Sequence, residues 1–167
     1  MGNYADFETD FVERTIALIE QYTGTVEERP FPEQFNYTLI LNCLLGLIVM
    51  PKERVISRLP ADRLTSELKA QMGLRHSSLP GPEMTLKNLI IKMRHSVAHF
   101  SIETRALSPE NLMDEIVFID TEQGSEREVY AIFKTSELFS FLKYYADSLV
   151  TNLHRRSTQR LNLQEVQ

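Results

Sequence analysis

The chain has one cysteine and no tryptophan among its 167 residues. A lone Cys43 excludes an intramolecular disulfide and a zinc–thiolate cluster. Set in an apolar run, it reads as a small buried hydrophobe. Glycine is sparse, and there is neither a glycine-rich phosphate loop nor a dinucleotide-binding fingerprint. No apolar run reaches the roughly 20 residues that a membrane-spanning helix needs. The longest, Phe35 to Met50, is interrupted by Asn36 and Asn42 and closed by Pro51. The opening carries Asp6, Glu8 and Asp10 where a secretory signal would be basic and then apolar, so a cytoplasmic protein is expected. Excess basic charge is also missing. The formal net charge is -5, so bulk electrostatics do not mark a nucleic-acid binder. A local patch does exist in the sequence: Lys87, Lys92, Arg94 and Arg105 against Glu103, four cations less one carboxylate, or +3.

What is present is helical periodicity. Residues 5–23 place Phe7, Phe11, Ile16, Leu18, Ile19 and Tyr22 near helical spacing, with acidic residues at the start and Gly24 as a stop. Charges and two prolines from Thr25 to Pro32 read as a loop. Phe35 to Met50 reads as a helix buried on most sides, in which Gly46 either permits close approach of a neighbour or is simply tolerated. A short helix is expected from about Pro60 to Met72, punctuated by Gly73. The Ser/Pro/Gly-rich stretch from Arg75 to Glu83 is a loop. Thr85 caps a helix running to about Phe100, its buried stripe being Leu86, Leu89, Ile90, Met93 and Val97. The period then shortens: Glu115 to Asp120 and Glu128 to Phe133 read as two strands joined by a polar turn over Thr121 to Arg127. Thr135 or Ser136 caps a last helix that buries Leu138, Phe139, Leu142, Tyr145, Ala146, Leu149 and Leu153. The expected fold is therefore mainly α, an antiparallel bundle of about four long helices with a short extra helix and a small β-hairpin insertion. A single domain is expected over residues 1–155, followed by a polar C-terminal tail, 156–167.

The segment Met93-Arg94-His95-Ser96-Val97-Ala98-His99-Phe100 holds the chemistry. Arginine is a permanent cation whose planar fork of donors suits phosphate oxygens. Histidine is the side chain that exchanges a proton near neutral pH. Residues five apart lie about 140° apart on an ideal helix, so Arg94 and His99 do not share a narrow face. Arginine's length, a relaxed helix end or a second subunit would have to bring them together. His95 and His99 are four apart and share a face, the spacing of a two-histidine metal pair. No glutamate follows His95, and no third ligand is evident, so no metal is assigned. A purely structural role also fits, because arginine and histidine at a helix C-terminus complement its dipole and cap free carbonyls.

Arg94-x4-His99 with a polar residue after the arginine resembles the signature of the HEPN superfamily. The surrounding pattern resembles small stand-alone HEPN proteins over roughly residues 5–153: an amphipathic first helix, a core helix ending at Pro51-Lys52-Glu53, and the motif followed by a hairpin. One departure is His95, where the family often has Asn or Asp. The resemblance implies a homodimer in which two motif helices meet and build a composite, metal-independent ribonuclease site. Attack of an RNA 2′-hydroxyl on the adjacent phosphorus would use His99 for proton transfer and Arg94 for the phosphorane-like oxygens, with no cofactor. His95, Ser96, Lys92 and Arg105 would bind RNA or support the site. A toxin or defence role, with an antitoxin or regulatory protein as partner, also belongs to what the resemblance implies. So does the alternative, a non-catalytic dimerisation module that binds RNA or a protein.

Overall fold

A computed structural model describes residues 4–30, 33–57, 59–107, 112–120 and 127–164, with side chains as far as 155. The expected turn over 121–126, residues 31–32 of the first loop, and the side chains of the tail lie outside the described residues. Six helices and three strands follow in the order α1 (Phe7–Val26), α2 (Asn36–Val49), α3 (Glu53–Ile56), α4 (Ser66–Gln71), α5 (Leu86–Ala98), β1 (Ile102–Arg105), β2 (Glu115–Asp120), β3 (Glu128–Lys134) and α6 (Leu138–Gln164). The fold is mainly α with a small antiparallel sheet, as the periodicity predicts.

Local chemistry sets the helix starts. Asp6 accepts from the backbone N–H groups of Glu8 and Thr9 at the head of α1, and Thr85 accepts from Asn88 at the head of α5. Gly24 does not stop α1, which continues to Val26; one exposed glycine costs only about 1 kcal/mol in a helix interior, too little to end a packed one. Thr135 does not cap α6. Its hydroxyl donates to the Met113 carbonyl instead, and a 3₁₀ turn over Thr135–Glu137 leads into the helix. The helix expected from about Pro60 to Met72 forms only over Ser66–Gln71 as α4, an unexpected short α3 lies ahead of it at Glu53–Ile56, and Gly73 ends α4 at φ 76°. α6 runs on to Gln164, past the point where its apolar period fades.

The core lies between α1, α2, α5 and α6, with the sheet packed against α5. In α2, Leu44, Leu47 and Ile48 are fully buried, each contributing about 1.5–3 kcal/mol. A Cβ on Gly46 would lie 3.4 Å from the Phe11 ring, an ordinary van der Waals contact, so the approach of α1 does not depend on this glycine.

The sheet has three strands in the order β1-β2-β3, both pairings antiparallel, with a bulge at Phe118/Ile119. β1 is absent from the sequence-based expectation. Its residues Ile-Glu-Thr-Arg carry one apolar side chain, too few to show a period, and it becomes a strand by pairing with the buried β2. The loop after Gly73 is anchored by Glu137. The buried carboxylate accepts from the N–H groups of Arg75, His76 and Ser77 and from the Ser77 hydroxyl at 2.7–3.0 Å. Burial pushes the Glu137 carboxyl up, but the Ser77 hydroxyl and these backbone donors outweigh it and hold it below the usual carboxylate range.

Candidate functional site

The motif occupies the C-terminal half of α5 and the turn beyond it. α5 buries Leu86, Leu89, Ile90, Met93 and Ser96. The opposite face, with Asn88, Ile91, His95, Ala98 and His99, is exposed at helical spacing. Shallow concavities flank this stripe. One of about 410 Å³ is lined by Val49, Glu53, Ile91, Arg94, His95, Val97 and Ala98. The other, about 460 Å³, is lined by Asn88, Ile91, Lys92, His95 and Asp120. Val49 and Ile91, which line the first of these, are large apolar side chains left substantially exposed.

Arg94 is half-buried and reaches across to α2. Its Nη1 donates to the carbonyls of Ile48, at 3.0 Å, and Pro51, at 2.7 Å. The last carbonyls of a helix lack intrahelical partners, so Arg94 satisfies free acceptors at the end of α2. The guanidinium also bears on Tyr145 in α6. Burial pushes that phenol up, and the charge of Arg94 draws it back only in part. Arg94 thus ties the motif helix to the end of α2 while still lining the open groove.

His99 ends α5 as its C-cap, at φ -100° and ψ 8°. It is exposed, and its ring centroid lies 4.3 Å from that of His95, at an interplanar angle of 50°. Within one protomer the two histidines are brought together. Arg94 is joined instead to α2, as the 140° separation of a regular helix requires of neighbours on different faces.

Beyond His99 the chain forms a Schellman turn. The Phe100 N–H donates to the Val97 carbonyl at 3.2 Å and the Ser101 N–H to the Ser96 carbonyl at 2.8 Å. The left-handed position of this motif usually belongs to glycine; here it is Phe100, at φ 56°. Ser101 cannot relax the turn, because it is buried and its carbonyl accepts from the Ile119 N–H at 3.0 Å.

The supporting candidates separate. Ser96 is buried and so is closed to direct contact with RNA. Its hydroxyl donates to the Ile119 carbonyl at 2.9 Å and lies 2.9 Å from the Tyr130 hydroxyl, which holds α5 against the sheet. Lys92 pairs with Asp120 at 2.7 Å and sits 4.6 Å from the Tyr130 ring centroid. Arg105 lies at the end of β1, 3.9 Å from Glu115, which Lys134 also contacts at 2.7 Å. Asp120 and Glu115 from β2 thus bring carboxylates to two of the cations counted along the sequence, while Lys134 and Arg127 bring two further cations, so the local excess of positive charge is kept. No group of three or more His, Cys, Asp or Glu residues able to hold a metal ion occurs among the described residues.

A family model described as HEPN pEK499 p136 matches residues 1–156. The chain belongs to this HEPN family. No curated protein and no solved structure matches the chain. A HEPN domain is a nuclease-related, RNA-related or dimerisation module in general terms. Among the described residues no helix is long and apolar enough to cross a membrane.

Sequence reasoning missed three contributors. Phe100 carried one legible signal, an aromatic directly after the helix end where glycine is favoured. Asp120 and Tyr130, which engage Lys92 and Ser96, carried none, because both are distant in sequence.

Proposed function

We propose that this HEPN chain is a metal-independent endoribonuclease whose site is completed by a second copy. Support comes from one observation above all: His95 and His99 stand exposed at the end of an unpartnered helix face, beside the groove lined by Arg94. Two α5 helices packed about a two-fold axis would bring two such ends to one cleft. The RNA 2′-oxygen attacks the adjacent phosphorus while one imidazole takes its proton. The bond from phosphorus to the 5′-oxygen breaks, and a second imidazole supplies the proton to that oxygen. The products are a 2′,3′-cyclic phosphate and a 5′-hydroxyl. Arg94 has Nη2 and Nε to direct at the charge developing on the phosphorane oxygens while Nη1 stays on the α2 carbonyls. DNA lacks the attacking hydroxyl and is not a substrate. A toxin or defence role, held in check by an antitoxin or regulatory protein, is the biological setting proposed for such an activity.

A second reading is favoured by the same hydrogen bonds. An arginine committed to α2 is a structural cap, which suits a non-catalytic dimerisation module that binds RNA or a protein. The two readings separate when purified protein is incubated with mixed RNA in excess EDTA. Cleavage that persists, leaves cyclic phosphate ends, and is lost in His99→Ala and Arg94→Lys supports the enzyme. Intact RNA with folded, dimeric protein supports the module. A stable monomer by light scattering at micromolar concentration counts against a shared site.

A further inference from the structure

Phe100 is the most exposed large apolar side chain among the described residues, 97% accessible. It is also the only described residue other than glycine with a positive φ. The exposure is not forced by packing of the ring, since a ring in solvent contributes nothing to the core. The turn holds it there: α5 ends on one side, and the buried Ser101, tied to β2, begins on the other. Strain of this kind, imposed by the surrounding structure, marks functional positions.

Its surroundings indicate the ligand. Phe100 directly follows His99 and borders a concavity of about 220 Å³ lined also by Ser101, Ile102, Glu103, Ile119 and Arg127. That volume falls below the roughly 300–1,000 Å³ of sites for drug-sized ligands and suits one planar ring. Near Phe100 stand the exposed His99 imidazole and the Glu103–Arg127 ion pair, with Glu103 half-buried and Arg127 exposed. An exposed aromatic beside groups that can hydrogen-bond a base or meet a phosphate is the arrangement that stacks nucleobases.

We propose that Phe100 is a stacking platform for a base of unpaired RNA, placed next to the phosphate that His99 would address. The inference rests on the reading that RNA approaches this end of α5, and it narrows the substrate to single-stranded RNA. In a duplex each base face is already covered by its neighbours, so Phe100 cannot engage one without unstacking it. Phe100 is a positioning and specificity residue in this scheme, not a proton donor or acceptor.

The chain has no tryptophan, so Phe100→Trp introduces a single indole at the site. In a His99→Ala background, which keeps RNA intact, indole emission is followed while a short single-stranded oligoribonucleotide or the same sequence in a duplex is added. The single strand is expected to quench the indole and the duplex to leave it unchanged. By fluorescence anisotropy with a labelled single strand, Phe100→Leu in the same background is expected to bind about 5- to 150-fold more weakly, while Phe100→Trp binds as tightly as Phe100 itself. Equal affinity in the leucine variant overturns the proposal, as does equal quenching by single strand and duplex. Conversion of a dimeric protein to monomer by Phe100→Leu, read by light scattering, also overturns it and makes Phe100 a subunit contact. Quenching by the single strand without any cleavage by the unsubstituted protein keeps the platform and refutes the nuclease. Cleavage with Phe100-independent binding does the reverse.

Discussion

Replacing Phe100 by glycine should make this protein more stable, although it deletes an aromatic side chain. An L-residue in the left-handed region costs roughly 1–2 kcal/mol, because Cβ crowds the following carbonyl oxygen. Glycine escapes that cost and loses about 0.4–1 kcal/mol through the greater freedom of the unfolded chain. The side chain is almost wholly solvent-exposed, so no burial is forfeited. The net gain is about 0.5–1 kcal/mol. For a chain of this size that raises Tm by roughly 1–4 °C. Urea titration should show a higher midpoint at an unchanged slope, which separates a change in stability from a change in the denatured state. Phe100→Ala is the control: it deletes the ring and keeps Cβ, so it should leave the midpoint nearly where it was. Both are measured at several protein concentrations, since dimerisation would add a concentration-dependent term. A glycine variant that is neutral or less stable than the unsubstituted protein would refute the strain, and with it the view that Phe100 is retained for function.

Arg94 and His99 should differ in stability as well as in chemistry. Arg94→Ala strips the α2 carbonyls of a charged donor and should cost about 1.5–3 kcal/mol in a urea titration, whereas the exposed His99→Ala should stay within about 0.5 kcal/mol. Gly73→Ala should cost about 2–4 kcal/mol by the same measurement, because the residue sits at φ 76° and a Cβ would lie 2.4 Å from Ser140 Cβ. Glu137 makes stability sensitive to acid. Its folded-state carboxyl is held below its ordinary 4.5, so its contribution is present above that pH and is lost as pH falls through the lower folded value. Thermal melts of Glu137→Gln should therefore show lower stability at neutral pH and a shallower decline below about pH 4.5 than the parent.

Helices α1, α2, α5 and α6 were legible from the order of residues because each is written in local terms. Thr85 caps α5 three residues before Asn88, and Ile19 is buried as the spacing in α1 predicts, although Phe7 and Leu18 stand exposed and Val12 and Thr15 complete the buried stripe. The Arg94-x4-His99 spacing and its position at a helix end were equally local, which is why the HEPN resemblance could be drawn at all. β1 was not legible, since a strand with one apolar residue acquires its identity from the partner it pairs with. The ion pairs within the basic patch were not legible for the same reason. Its counter-charges, Asp120 and Glu115, come from a strand that folding brings alongside.

Order along the chain thus determined which segments are helical, which faces are apolar, and where a cation and two imidazoles sit on one element. Tertiary structure alone decided what those groups face. It turned Arg94 onto carbonyls 46 and 43 residues away, left His95 and His99 as an exposed pair, and pinned Phe100 into a glycine conformation. The physical reason is that periodicity and caps act within a turn or two, whereas capping across helices, ion pairing across strands and enforced backbone strain arise only once distant segments are packed together.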